Sequence, residues 1–440
     1  MPRLTLPAVW ATATTLAAPA LRIMLRVRQR RGKELPGRLA ERRGIDAAPR
    51  PPGRLVWLHA ASVGETTSIL PVLPLLTHTA ATVLLTTGTV TAAKLLEQRL
   101  DPELTGRVMH RFVPLDVPAW VAGFLDHWRP DVAGFVESEL WPNLLAACRE
   151  RGIPTTLINA RLSERSLAHW RRAPGFAKQL LGGFASVQPR SAADAARLRA
   201  LGCSRLSEPG DLKLAAPALP ADAAELGRLR GLLEHRPVWL AASTHPGEEA
   251  LILQAHRMLV RDHRGLLTII APRHPERGVS IPADGYRSRG DHPPAEGVWL
   301  ADTLGELGLL YRLSQLAFVG RSLLPPGGGQ NPLEPARLGC AIAVGPYTGN
   351  FTDHIAMLRD AGGLAVVQDA AELARWVDGL LRDTTRCRAM GQAALRVVAH
   401  HSDLPRRTAS ALLQLLDAKS PPSLAEGEQG ERARHPVPTL

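Results

Sequence analysis

The sequence predicts an α/β protein built from two doubly wound domains, each with a parallel sheet. Three observations lead there. Short apolar runs alternate with helical patterns along most of the chain, the signature of βαβ units. The series occurs twice, once on each side of the Pro- and Ala-rich passage 209–220. Polar and turn-forming residues follow the strand runs on their carboxyl side, where open parallel sheets hold ligands.

In the first half, apolar runs at 55–58, 82–86, 132–136 and 155–158 read as strands, with helical patterns after Glu65, Val90 and Leu140. In the second half, strands are expected at 238–241, 267–270, 316–319, 341–344 and 364–367. Helical patterns there cover 248–259, 304–313, 331–338 and 370–381. The expected division is 1–46 for an N-terminal helix and basic segment, 47–212 and 213–416 for the two domains, and 417–440 for a mobile tail. A cleft between the domains is the natural place for a site.

The chain has 440 residues and a formal charge of +12, carried almost wholly by arginine. The five lysines are Lys33, Lys94, Lys178, Lys213 and Lys419. Net basicity suits an anionic partner: nucleic acid, a phosphate-bearing substrate or an acidic membrane face. Aromatics are scarce and do not interleave with basic residues, which argues against single-stranded nucleic acid. Cys148, Cys203, Cys340 and Cys387 form no CxxC pair and read as buried thiols of a reducing compartment.

Residues 4–21 carry no charge, and Arg22, Arg26, Arg28, Arg30, Arg31 and Lys33 follow at once. The run is near the lower limit for a membrane span and contains Pro7 and Pro19. A basic cluster after the apolar run inverts the layout of a cleaved signal peptide. The positive-inside rule then leaves the remainder in the cytoplasm. The expectation is a helix associated with an anionic membrane surface, spanning it or lying on it. A plain amphipathic helix packed on the body is the alternative.

The stretch Trp57-Leu-His-Ala-Ala-Ser-Val-Gly-Glu65 reads as a strand, a tight turn and a helix start. Glu65 there is either a general base or a carboxylate that favours the helix dipole. Glu137-Ser-Glu139-Leu-Trp-Pro-Asn143 follows the 132–136 strand. Two acids two residues apart on extended chain share a side and are awkward to bury unless they face ligand, water or a base. The alternative is a helix-start acid plus a solvated one.

Asn159-Ala-Arg161-Leu-Ser163 is a polar loop with an N-cap. Lys213, in Gly210-Asp-Leu-Lys213, can stabilise a departing phosphate or simply be a solvated linker residue. Arg273, in Pro272-Arg-His-Pro-Glu-Arg277, can hold a phosphate bidentately. His245 and His274 lack metal-ligand spacing. The Gly-rich passage from Gly320 through Gly327-Gly-Gly329 to Asn331-Pro-Leu-Glu334 opens a helix whose N-terminus suits an anion, and Glu334 can accept from a ribose diol. It is not a Walker A loop, and no Gly-x-Gly-x-x-Gly follows the first strand, which disfavours a dinucleotide dehydrogenase.

Taken together, these stretches resemble the 3-deoxy-D-manno-octulosonic acid (Kdo) transferases of Gram-negative bacteria. The resembling runs are Leu58–Glu65, Glu137–Asn143, Asn159–Ser163, Ser243-Thr-His245, Pro272–Arg277, Asp302–Leu307, Asn331–Pro335 and Gly345–Phe351. Their order and spacing extend to about residue 410. The resemblance implies a GT-B glycosyltransferase with two Rossmann-like domains. It implies Kdo transfer from CMP-Kdo to the lipid A precursor (lipid IVA), in lipopolysaccharide biosynthesis at the cytoplasmic side of the inner membrane. It implies inversion at the anomeric centre and no bound metal or other cofactor.

By the same resemblance Glu65 is the base, and Glu137 and Lys213 stabilise the transition state. Pro272, Arg273, Leu304, Gly305, Glu306, Asn331, Pro332, Leu333 and Glu334 match the CMP-binding positions. The chain departs from the pattern at Gln330, where a His is common, at Arg321, where a Gly is usual, and at Pro246, where an acid is usual. Two rivals remain: a GT-B transferase using a nucleotide-diphosphate sugar, and a non-catalytic membrane-bound protein that binds sugar nucleotides.

Overall fold

The computed structural model describes residues 5–79, 81–233 and 236–418. The expected tail at 417–440 lies outside the described residues, except for its first two positions. The chain divides into two compact units: the first runs to Gly210 and resumes at Pro405, and the second spans Asp211–Leu404. The break falls inside the Pro-rich passage 209–220. The second domain, expected to run to 416, instead ends at Leu404, because the helix Leu404–Ala418 returns to the first unit. Thr408 there donates to Gln188 at 2.8 Å, and Asp417 pairs with Arg54 at 2.6 Å.

The first unit's sheet holds β1 (Leu55–Ala60), β2 (Thr82–Thr87), β3 (Val108–Phe112), β4 (Val132–Val136), β5 (Thr155–Ala160) and β6 (Ser186–Pro189). Every pairing is parallel, and the order is β3-β2-β1-β4-β5-β6. β1 and β4 are buried along their whole length, as strands covered by helices on both faces must be. Trp57, Phe124, Phe135 and Phe184 fill the core between this sheet and its helices.

The second unit repeats the plan. β7 (Val238–Thr244), β8 (Leu267–Pro272), β9 (Gly285–Tyr286), β10 (Gly297–Leu300), β11 (Leu316–Val319), β12 (Ala341–Val344) and β13 (Leu364–Val366) form an all-parallel sheet ordered β13-β12-β11-β7-β8-β10-β9. Apart from the two-residue edge strand β9, this is the same winding. In each sheet the first strand lies beside one that comes several crossovers later, so the strand order reverses there: between β1 and β4, and between β7 and β11. A doubly wound sheet opens a crevice at its carboxyl edge at such a point.

The N-terminal helix spans Leu6–Arg30 and is long and apolar enough, by length and composition, to cross a membrane. One side of it is docked on the first unit. Trp10 donates its indole N–H to Asp116 at 2.8 Å, Asn143 donates to Thr14 at 3.0 Å, and Leu25 is buried beside Val117 and Trp120. Asp116 also accepts the backbone N–H groups of Asn143 and Leu144 at 3.2 and 2.9 Å, so it caps the helix Pro142–Glu150. Burial pushes the Asp116 carboxyl above its ordinary value. Leu6, Val9, Leu16, Ile23, Met24 and Val27 stay exposed.

Candidate functional site

The loops after β1 and β4 meet at the first reversal point. Ser62 caps the helix Val63–Ile69, its hydroxyl accepting from Glu65 N–H at 3.3 Å. The Glu65 carboxylate folds back on the same turn: Oε2 accepts from Ala61 N–H at 2.7 Å and Oε1 from the Ser62 hydroxyl at 2.8 Å. This is a variant of the capping box, so Glu65 does serve the helix start. It is also buried, at 8% exposure. Burial pushes its carboxyl above the usual value; the Ser62 hydrogen bond works against this, and the nearby Glu139 and Glu137 charges add to it. A carboxylate with raised proton affinity and unused lone pairs has the properties of a base.

Glu137 follows β4 in the left-handed region at φ 63° and is almost buried. Its backbone N–H donates to Ile158 at 2.8 Å, and the neighbouring Ser138 hydroxyl donates to the Arg161 carbonyl at 2.7 Å. The loops after β4 and β5 are thereby stitched together. A non-glycine residue in this conformation costs on the order of 1 kcal/mol and often marks a functional loop.

His59, the fifth residue of β1, was not singled out by its sequence pattern. It is fully buried, with Nδ1 3.0 Å from the Thr86 hydroxyl and Nε2 3.3 Å from Glu139 Oε2. Trp141 donates its indole N–H to the same Glu139 oxygen, and Trp57 donates to Thr86 Oγ1 at 2.9 Å. Nδ1 also lies 3.1 Å from the Thr86 carbonyl, so both ring nitrogens and every other member of this chain have a partner. Burial pushes the Glu139 carboxyl up, but its bonds and charge interaction with His59 and the bond from Trp141 outweigh that and hold it below the ordinary value. The available signal was one imidazole in an otherwise apolar strand, Leu-Val-Trp-Leu-His-Ala.

The second reversal point is organised around a different acid. Glu248, at 1% exposure, accepts four backbone N–H groups: His245 at 2.9 Å, Arg321 at 2.6 Å, Ser322 at 2.8 Å and Leu323 at 3.0 Å. It binds the loop after β7 to the loop after β11. Glu249 next to it pairs with Arg277 at 2.8 Å and accepts from Thr244 at 2.8 Å.

Gln330 places its amide nitrogen 2.9 Å from His245 Nε2. The amide donates there, so that ring nitrogen is an acceptor and the proton sits on Nδ1. Burial holds the His245 imidazole below its usual value. Arg321 adopts φ 59°, which explains why a glycine suits the position.

The expected nucleotide-binding residues all follow carboxyl ends of strands in this second sheet. Pro272 ends β8, and Arg273 beside it is exposed with its N–H donating to Thr244 at 3.0 Å. Leu304 is exposed and Gly305 turns the chain at φ 83°. Glu306 receives a two-pronged bond from Arg287 at 2.6 and 3.0 Å; that bond, ahead of the contrary effect of burial, holds its carboxyl below the ordinary range.

Asn331 accepts from Leu333 N–H at 3.1 Å and donates to Glu334 at 3.3 Å. Pro332 precedes the helix and Leu333 is buried. The helix expected over 331–338 is only Leu333–Arg337. The adjoining glycines Gly327, Gly328 and Gly329 all have positive φ, which a tight loop requires. Lys213 lies on a turn; its N–H donates to Asp211 at 2.9 Å and its carbonyl accepts from Arg337. Asp211 is itself paired with His354 at 3.1 Å.

Two doubly wound parallel-sheet α/β units define the GT-B class of glycosyltransferase folds. Solved structures with this fold include UDP-GlcNAc 2-epimerase from Neisseria meningitidis (TM-score 0.54, 13% identity, 82% of this chain and 100% of that one). MurG from Acinetobacter baumannii is another (TM-score 0.51, 12% identity, 82% and 100%). At these identities the likeness speaks to the fold alone.

The family described as 3-deoxy-D-manno-octulosonic-acid transferase (kdotransferase) matches residues 37–216. The 3-deoxy-D-manno-octulosonic acid transferase of Haemophilus influenzae is 32% identical over 401 residues, 87% of this chain and 91% of that protein. That of Bordetella pertussis is 34% identical over 380 residues, 83% and 88%. The chain belongs to the Kdo transferase family and is a glycosyltransferase.

Proposed function

We propose that this enzyme moves Kdo from CMP-Kdo to a hydroxyl of the lipid A precursor (lipid IVA), at the cytoplasmic side of the inner membrane. The observation that carries the reading is Glu65: a buried carboxylate at a strand-order reversal, held by Ala61 and Ser62, with raised proton affinity.

In this reading Glu65 takes the proton of the acceptor hydroxyl as that oxygen attacks the anomeric carbon. The new bond is carbon to acceptor oxygen. The broken bond is carbon to phosphate oxygen, and its electron pair leaves with CMP. Attack opposite the leaving group inverts the centre. The departing phosphate gains negative charge, which Lys213 offsets. Glu137 stabilises the positive charge that develops on the sugar ring.

Pro272, Arg273, Leu304, Gly305, Glu306 and the Asn331–Glu334 turn hold the CMP moiety, with Arg273 supplying cationic hydrogen bonds. Glu306 acts here through the Leu304–Glu306 turn, since its carboxylate is taken up by Arg287. No cofactor enters the reaction. The exposed apolar face of the Leu6–Arg30 helix and the arginines near its end suit an interfacial or spanning attachment to anionic lipid.

The test is direct. Purified enzyme is incubated with CMP-Kdo and the lipid A precursor, and the products are weighed by mass spectrometry. An acceptor mass increased by Kdo is expected. Transfer from a UDP- or ADP-sugar in its place, or no turnover at all, overturns the reading.

A further inference from the structure

We propose that His59 and Glu139 form a clamp across the first reversal point that holds the Glu65 base in its working position. The inference rests on the reading of Glu65 as the base. Neither residue touches substrate in this scheme, so both are positioning residues.

Three observations carry it. First, the topology puts β1 beside β4 with His59 in register with Phe135. His59 is two residues before Ala61, whose N–H holds Glu65, and Glu139 is four residues past Phe135. The imidazole-to-carboxylate bond at 3.3 Å therefore links the two loops that carry Glu65 and Glu137.

Second, the imidazole has no freedom of its own. It is fully buried, pinned by Thr86, and Thr86 is in turn held by Trp57. Third, Trp141 fixes Glu139 from the other side. A buried polar chain with each member partnered is a rigid element.

The clamp also sets charge around the base. Glu139 and Glu137 are the acids whose charge raises the Glu65 carboxyl. The helix Val90–Arg99 packed against the Glu65 helix contributes Lys94, Glu97 and Arg99, all exposed. Arg42, which donates to the Gly88 carbonyl at 2.6 Å, is paired with Glu34. Glu139 is fixed in place by His59 and Trp141.

The experiment measures kcat and KM against pH for the wild type, Glu139→Gln, Glu139→Ala and His59→Ala, with a thermal melt of each. Gln keeps an oxygen for His59 and Trp141 but removes the charge. Its acid limb is expected at lower pH than in the wild type, with kcat at the plateau changed by less than about tenfold. Ala at either position opens the clamp and is expected to lower kcat by about 10²-fold, with the KM for CMP-Kdo unchanged.

A Gln variant that folds, turns over and keeps the wild-type acid limb overturns the proposal. So does a folded Ala variant with wild-type kcat. Absence of Kdo transfer by the wild type overturns the functional reading instead, so the two failures are distinguishable.

Discussion

The two units share one winding and differ in what they place where it reverses. The first offers Glu65, Glu137 and Glu139 with one buried imidazole. The second offers Arg273, Arg321, His245 and His274, while its own acid, Glu248, is turned inward to gather backbone N–H groups. In the proposed reading the same frame carries a base in the first unit and anion-binding groups in the second. The chemistry lies in which residue types follow the strand ends, and the fold alone is indifferent to it.

The sharpest way to break this contrast is at the first reversal point. Glu65→Gln keeps the size and an oxygen for Ala61 N–H but removes the carboxylate proposed as the base. A loss in kcat of about 10²- to 10⁴-fold is expected, with donor KM unchanged and an unaltered melting curve. Activity close to wild type would place the base elsewhere.

Glu248→Ala probes the other kind of acid. It leaves four backbone donors, two of them buried at Ser322 and Leu323, without their acceptor, and a loss of about 3 kcal/mol in unfolding free energy is expected from denaturant titration. If Glu248→Ala instead impairs catalysis without touching stability, the division between a working acid and a structural one fails.

Arg273→Ala should raise the KM for CMP-Kdo by about 10- to 100-fold, the worth of a charge-assisted bond, while the KM for the acceptor stays put. An equal rise for both substrates would remove Arg273 from the donor side.

Arg321→Gly relieves a left-handed arginine and should stabilise the fold by about 1 kcal/mol, an effect read from the denaturation midpoint. A destabilised variant would mean the Arg side chain contributes more than its backbone costs.

Ser62→Ala has the smallest expected effect on rate. It removes the bond that lowers the Glu65 carboxyl, so protonation of the base sets in at higher pH and the acid limb of kcat/KM moves up. This is opposite to the direction expected for Glu139→Gln, and one pH series compares the two.

The central strands were legible because they are buried on both faces and so spelled as apolar runs; β1, β4, β11 and β12 fall where the pattern puts them. β3, with Met-His-Arg at its middle, and β6, only four residues long, carried no such run, being edge strands with less apolar surface to bury. Much of the helical cover between 164 and 200 also escaped notice. Glu65, Glu137 and Glu139 stood out because acids directly after apolar strands are unusual.

His59, Glu248 and Asp116 did not stand out. Their roles depend on partners 80, 73 and 106 positions away, and spacing along one chain cannot express that. The division at Gly210 fell inside the Pro-rich passage, but the return of Leu404–Ala418 to the first unit left no local mark, since an amphipathic helix reads the same whichever surface it covers.

The Trp10–Asp116 bond bears on how the enzyme is handled at the bench. Shortening the gene to begin after residue 30, a common route to a better-behaved preparation, would strip the indole from Asp116 and uncover Val117 and Trp120. The same cut would remove Thr14 from Asn143, at the start of the helix that follows the Glu137 and Glu139 loop. A shortened protein would therefore report altered kinetics even in detergent with a soluble acceptor, and the leading helix should be retained and masked, not deleted.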